Sequence, residues 1–167
     1  KFALLNREEM MDRVITEISY AVTGLDNAEF ELERINCHHN FTQIENHFNE
    51  NVWITRKGAI QAKEGMKGMI PGSMGEKSYI VSGLENKMSF HSAPHGAGRK
   101  MSRNKAREAF KMEDFDKALE GIEHRRSEVL LDEIPGAYKN IDEVMANAKE
   151  LVKIEHTLKQ IINIKGD

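Results

Sequence analysis

Histidine and small flexible residues meet at one place in this chain. The stretch FHSAPHGAGRKMSRNKA, Phe90 to Ala106, sets His95 directly before Gly96, Ala97 and Gly98. Glycine lets backbone approach a ligand closely. Arg99 offers a planar fork suited to phosphate oxygens, and Ser102 can open a helix whose first N–H groups suit an anion. A neutral imidazole beside such a cradle is a candidate general base or a nucleophile toward phosphorus. The ordinary alternative is a histidine that satisfies backbone carbonyls in a tight turn.

Two further stretches carry candidate chemistry. NCHHNF, Asn36 to Phe41, reads as extended chain. Neighbouring side chains then point to opposite faces, so His38 and His39 cannot easily share a metal and at most one is a ligand. A surface pair at a strand edge is the plain alternative. IPGSMGEKS, Ile70 to Ser78, combines glycines with hydroxyl residues. Its backbone N–H groups could converge on phosphate. It is not a Walker A loop, and as a pattern it is weak: an ordinary turn is the commoner explanation. Tyr138, after Pro135-Gly136-Ala137, could stack on a base. Lys165 stands near the C-terminus, where most lysines are simply solvated.

These residues need elements to hold them. The 167 residues suffice for one domain with a core. Hydrophobic residues make up 40% and charged residues 31%, and the net charge is −3. That composition reads as soluble and globular, with no global field drawing the chain to nucleic acid. The single cysteine, Cys37, excludes a disulfide framework and a C-x-x-C zinc site. It suits a reducing, cytoplasmic setting. No apolar run approaches a membrane span, and no signal-peptide pattern opens the chain.

The patterning predicts an α+β fold: antiparallel sheets with flanking helices. Residues 6–23 read as an amphipathic helix, with Asn6 and Glu9 at capping-box spacing and Gly24 at its end. FELERIN, HNFTQIENHF, NVWITRK and AIQAK read as strands, residues 65–77 as a loop, and SYIVSG and KMSFHSA as two more strands. Helices are expected from Ser102 to about Phe110, over roughly 112–121, and from Asn140 to about Glu150. The alternating end, VKIEHTLKQIINI, predicts a long strand or a hairpin. The methionines read as core.

Taken in order, HHN, RKGA, IPGSMG, HGAGR-x-MSR, DEIPGAYK and a terminal KG resemble the RtcB-type RNA ligases, the tRNA-splicing ligase family. The resemblance covers nearly the whole chain. It implies the C-terminal part, less than half, of a single RtcB-like catalytic domain, with the N-terminal part absent. It also implies an enzyme that joins RNA 3′-phosphate or 2′,3′-cyclic phosphate ends to 5′-hydroxyl ends, using GTP and manganese through a covalent histidine–GMP intermediate. An archease-type activator is implied as partner.

By the same resemblance His95 is the guanylated histidine and His39 the manganese ligand. Asn40, Pro71, Gly72, Ser73, Met74, Ser78, Gly96, Ala97 and Gly98 contact the nucleotide, Lys165 reads guanine, and Tyr138 lies near the base. Pro94 departs from the small polar residue expected before the nucleophile. The family's upstream aspartate, cysteine and two further histidines have no counterpart here. Cys37, His47, His91, His124 and His156 match no family ligand. Two other readings are a metal-dependent phosphoesterase using His95 and His39, and a fragment that binds nucleotide or RNA without chemistry.

Overall fold

Several of the short β-rich runs in the middle of the chain fold as strands. In the computed structural model, which describes residues 2–24 and 31–165, strands β1 (Asn40–His47) and β2 (Glu50–Lys57) form an antiparallel hairpin. Its two-residue turn, Phe48-Asn49, has φ of 54° and 66°. Positive φ at both central residues matches the twist of the flanking strands. Alternate residues of β1 face inward, so Glu45 and His47 are buried on the face they share with Phe41 and Gln43. Gly58, at φ +74°, turns the chain from β2 into β3 (Ala59–Gln61). Strand β3 pairs antiparallel with β6 (Ser92–Pro94).

A second, three-stranded sheet has the order β4 (Lys67–Pro71), β5 (Ser78–Gly83), β8 (Val152–Leu158), all antiparallel. Short β7 (Glu123–His124) and β9 (Ile162–Asn163) pair in parallel. Helices α2 (Arg103–Ala109) and α3 (Met112–Ala118) and two 3₁₀ turns pack a core of Met74, Ala106, Phe115, Leu119, Leu130 and Ile134. Ser102 caps α2, its hydroxyl accepting the Lys105 N–H at 3.3 Å. Asn140 likewise caps α4 (Ile141–Asn147). The α+β expectation therefore holds.

Residues Lys1–His38 form a separate compact unit. It contains α1 (Phe2–Thr23), closed by Gly24 at φ +73°. Arg34 ties this unit by pairing with Glu31, Asp12 and Glu8. No helix among the described residues is long and apolar enough to cross a membrane.

Several local expectations are corrected. Asn6 does not cap α1; good helix formers at Ala3, Leu4 and Leu5 carry the helix back to Phe2. The described part of FELERIN, residues 31–36, is not a strand, and the extended chain regularises only at Asn40. Phe30 of that stretch and Gly166 of the terminal KG lie outside the described residues. The glycine-rich 65–77 is not all loop, because Gly68 and Ile70 are buried as β4 pairs with β5. KMSFHSA is a strand only at Ser92 and Ala93, in β6; Lys87–Ser89 form a 3₁₀ turn in which Asn86 Oδ1 accepts the Ser89 N–H. The C-terminal stretch is neither one long strand nor a hairpin: β8 joins β5 and β9 joins β7.

Candidate active site

His95 follows β6, and the backbone around it is fixed by its neighbours. Its Nδ1 lies 2.7 Å from the carbonyl oxygen of Gly58. A carbonyl only accepts, so Nδ1 carries the proton and the lone pair resides on Nε2. The His39 ring stacks on that of His95 at 5.3 Å between centroids and 18° between planes. Gly58 links the two, because its N–H donates to the His39 carbonyl at 3.0 Å while its own carbonyl holds His95. A Cβ at Gly58 would stand 3.4 Å from His95 Cε1, and φ +74° disfavours any side chain there.

The small residues after His95 serve a close backbone approach. A Cβ at Gly96 would come within 3.1 Å of the Pro71 carbonyl oxygen, and the Ala97 N–H donates to that oxygen at 3.1 Å. The turn is thereby docked on the end of β4. The next residues pair with the Pro-Gly-Ala segment: Lys139 N–H donates to Gly98 and Lys100 N–H to Ala137.

The 71–78 loop is largely self-satisfied. Ser73 donates both its N–H, at 3.0 Å, and its hydroxyl, at 2.6 Å, to Glu76. The Gly72 N–H goes to the Lys77 carbonyl, and the Gly75 N–H to Gln160 Oε1 at 3.2 Å. Met74 points into the core. The Gly72, Ser73 and Gly75 N–H groups are therefore engaged within the fold rather than gathered into an anion nest. Ser78 opens β5 and Asn40 opens β1, exposed and opposite Lys57.

Tyr138 and Lys165 meet at a residue the sequence did not single out. The Tyr138 hydroxyl donates to Glu133 Oε2 at 2.5 Å, and Lys165 Nζ approaches the same oxygen at 3.3 Å. Burial and the Glu133 contact push the Tyr138 phenol up to about 12. Burial works against ionising Glu133, yet the Tyr138 hydroxyl and the charges of Lys165 and Arg99 hold its carboxyl below the usual range. Arg99 stacks 4.7 Å from the Tyr138 ring centroid and donates to Asp132 and Glu133. Its fork is used inside the protein, contrary to the phosphate role its position suggested. The only early sign of Glu133 was an acid five residues before Tyr138 in DEIPGAYK. Gly58 was equally hidden inside RKGA.

His95, Gly96–Gly98, Pro71, Tyr138 and Lys165 are thus joined through short hydrogen-bonded links, and His39 stacks on the same histidine. The manganese expectation meets this geometry only in part. His39 offers one exposed imidazole, and among the described residues it belongs to no group of three or more His, Cys, Asp or Glu ligands. These residues alone do not make a manganese site.

Comparison with known proteins accounts for the ordered motifs. The family model described as tRNA-splicing ligase RtcB matches residues 1–166. An RNA-splicing ligase RtcB of Escherichia coli is 48% identical over 167 residues, covering 99% of this chain and 41% of that relative. A tRNA-splicing ligase RtcB of Nanoarchaeum equitans is 34% identical over 153 residues, 77% of this chain and 32% of the relative. An RNA-splicing ligase RtcB homolog of Entamoeba dispar is 37% identical over 153 residues, 77% and 29% respectively. The chain spans about two-fifths of the length of the Escherichia coli relative. With the match running through the histidine turn, the 71–78 loop and DEIPGAYK alike, this chain belongs to the tRNA-splicing ligase RtcB family.

Proposed function

We propose that this chain carries the nucleotide-accepting part of an RNA ligase that joins 3′-phosphate or 2′,3′-cyclic phosphate ends to 5′-hydroxyl ends with GTP and manganese. The observation that carries the reading is the Nδ1 contact of His95 with the Gly58 carbonyl, 2.7 Å long. It leaves Nε2 as a nitrogen with a free lone pair, which is what attack on the α-phosphorus of GTP requires. The nitrogen–phosphorus bond forms as the bond to pyrophosphate breaks. Positive charge then grows on the ring, where the Nδ1–H bond to the carbonyl stabilises it.

The remaining steps use the same site. An oxygen of the RNA 3′-phosphate takes the GMP group from His95, breaking the phosphorus–nitrogen bond. The 5′-hydroxyl oxygen then attacks the activated 3′-phosphate, losing its proton as GMP departs. Small residues at Gly96, Ala97 and Gly98 leave room for phosphate beside the nucleophile. Lys165, placed by Glu133, reads the guanine, and Tyr138 lies near the base. Asn40, Pro71 and Ser78 complete the nucleotide contacts, while Gly72, Ser73 and Met74 hold the loop from within the fold. Manganese, held mainly by residues outside this chain, would neutralise charge on the phosphates, and His39 would be the ligand this chain supplies. An archease-type activator is the proposed partner.

Because one imidazole does not suffice for the metal, the 167-residue chain alone is expected to bind GTP weakly, form little adduct and seal no RNA. The test therefore uses a chimera in which this chain replaces the matching part of the Escherichia coli relative. In it, His95→Ala should abolish ligation from GTP yet still join RNA already carrying GMP on its 3′-phosphate. Loss of both reactions would deny His95 its nucleophilic role. Phosphate release from RNA ends without GTP would favour the phosphoesterase reading.

A further inference from the structure

We propose that Glu45, His47 and His91 form a binding site for a divalent first-row transition ion, separate from the His39–His95 pair. One ring nitrogen from each histidine and one oxygen of Glu45 lie within 4.8 Å of one another. Two imidazoles and a carboxylate are a ligand set suited to zinc, cobalt or iron in the divalent state. The set opens onto a cavity of about 340 Å³, lined by Asn46, His47, Phe48, Asn49, Lys87 and His91. Space there admits water or another ligand to the remaining coordination positions.

The surroundings hold these groups as a ligand shell would need. Glu45 and His47 are 8% and 5% exposed. Arg56 Nη1 donates to Glu45 Oε1 and Nη2 to Oε2, which fixes the carboxylate plane and keeps it ionised. His47 Nε2 lies 2.9 Å from Glu45 Oε2, where the ion would take the place of the shared proton. A neutral imidazole can keep that proton on its other nitrogen. The His91 and His47 rings are 4.6 Å apart. Burial keeps the His91 imidazole below its usual range, in the form that ligates.

His91 reaches this place through unusual backbone. Phe90 and His91 have φ of 52° and 50°, a conformation that side chains disfavour. It persists because Arg56 Nη2 donates to the Phe90 carbonyl at 2.9 Å and the Ala62 N–H to the His91 carbonyl at 2.7 Å. Such over-determined strain gathers at ligand clamps. Glu85 Oε1 stands 4.0 Å from His91 Nδ1, near enough to steer the ring. The Arg56 charge opposes a cation and lowers affinity, but it also prevents Glu45 from protonating.

The test titrates Zn²⁺ into the 167-residue chain carrying His39→Ala and His95→Ala, which removes the other histidine pair. One equivalent should bind, and adding His91→Gln should weaken binding by about tenfold or more. Paramagnetic Co²⁺ in the same His39→Ala/His95→Ala chain gives a second readout that needs no change at the site. It should shift the ring signals of His47 and His91 and leave those of His124 and His156. Absence of binding, an unchanged affinity in His91→Gln, or Co²⁺ shifts centred on other residues would overturn the site and leave a purely structural Glu–His–Arg network.

Discussion

Strand β1 carries a histidine at each end, and the two ends are chemically opposite. His39 precedes the strand, exposed, and stacks on His95. His47 ends it, buried, and is tied to Glu45 and Arg56. Strand β6 repeats the arrangement, with His91 before it and His95 after it. At the first end an imidazole meets a neutral carbonyl through Nδ1. At the second, a carboxylate paired with a guanidinium lies beside two imidazoles. The eight residues of β1 hold the ends of the strand roughly 23 Å apart. Burial and the partner, rather than residue type, decide what each histidine does.

The largest effect should come from breaking the buried end. Arg56→Ala leaves the Glu45 carboxylate uncompensated in the interior and should cost about 3–5 kcal/mol in urea unfolding. At the other end, His39→Ala should cost within about 0.5 kcal/mol, as exposed substitutions usually do. Equal losses from the two variants would erase the contrast.

A smaller effect should appear with acid. The hydrogen bonds from Arg56 lead in drawing the Glu45 carboxyl down from 4.5 to about 2, against its burial. Its folded value lies below its unfolded one, so this stabilisation is full above pH 4.5 and fades as pH falls toward 2. Thermal unfolding midpoints measured across that window should drop more steeply in the native chain than in a Glu45→Gln/Arg56→Met variant. Parallel curves would mean the pair contributes nothing to acid sensitivity.

The smallest expected change concerns selectivity at the His95 end. In the chimera, Lys165→Ala should lower discrimination of GTP from ATP by about tenfold, because a site built for one polar edge leaves its own groups unpaired with another. Competition between the two nucleotides during adduct formation measures this. An unchanged ratio would return Lys165 to a solvated terminal lysine that happens to meet Glu133.

The two ends also differ in how far the sequence revealed them. His95 stood out because glycine and alanine crowd one place; the sequence suggested close approach to a ligand, whereas the contact the structure shows is Gly96 and Ala97 docked on Pro71. Strands β1 and β2 were legible as β-rich runs broken by asparagine and glycine. The Glu45–Arg56–His47–His91 cluster was not, since its members come from separate segments and only the hairpin register and two left-handed residues bring them together. The engagement of Arg99 by Asp132 and Glu133 was hidden in the same way. Local pattern also misled where composition spoke against the fold: glycines in 65–77 suggested a loop, while pairing with β5 made Lys67–Pro71 a strand. The argument for opposite faces at His38 and His39 assumed a strand that starts only at Asn40.

The most direct test asks where GMP becomes attached. The chimera is incubated with GTP and manganese, its intact mass is measured, and the modified residue is located by peptide fragmentation. A single GMP adduct on His95, absent from His95→Ala and formed by the chimera but scarcely by the 167-residue chain, is the predicted result. An adduct that maps to another residue, or that survives in His95→Ala, would contradict the assignment of His95 as the nucleophile.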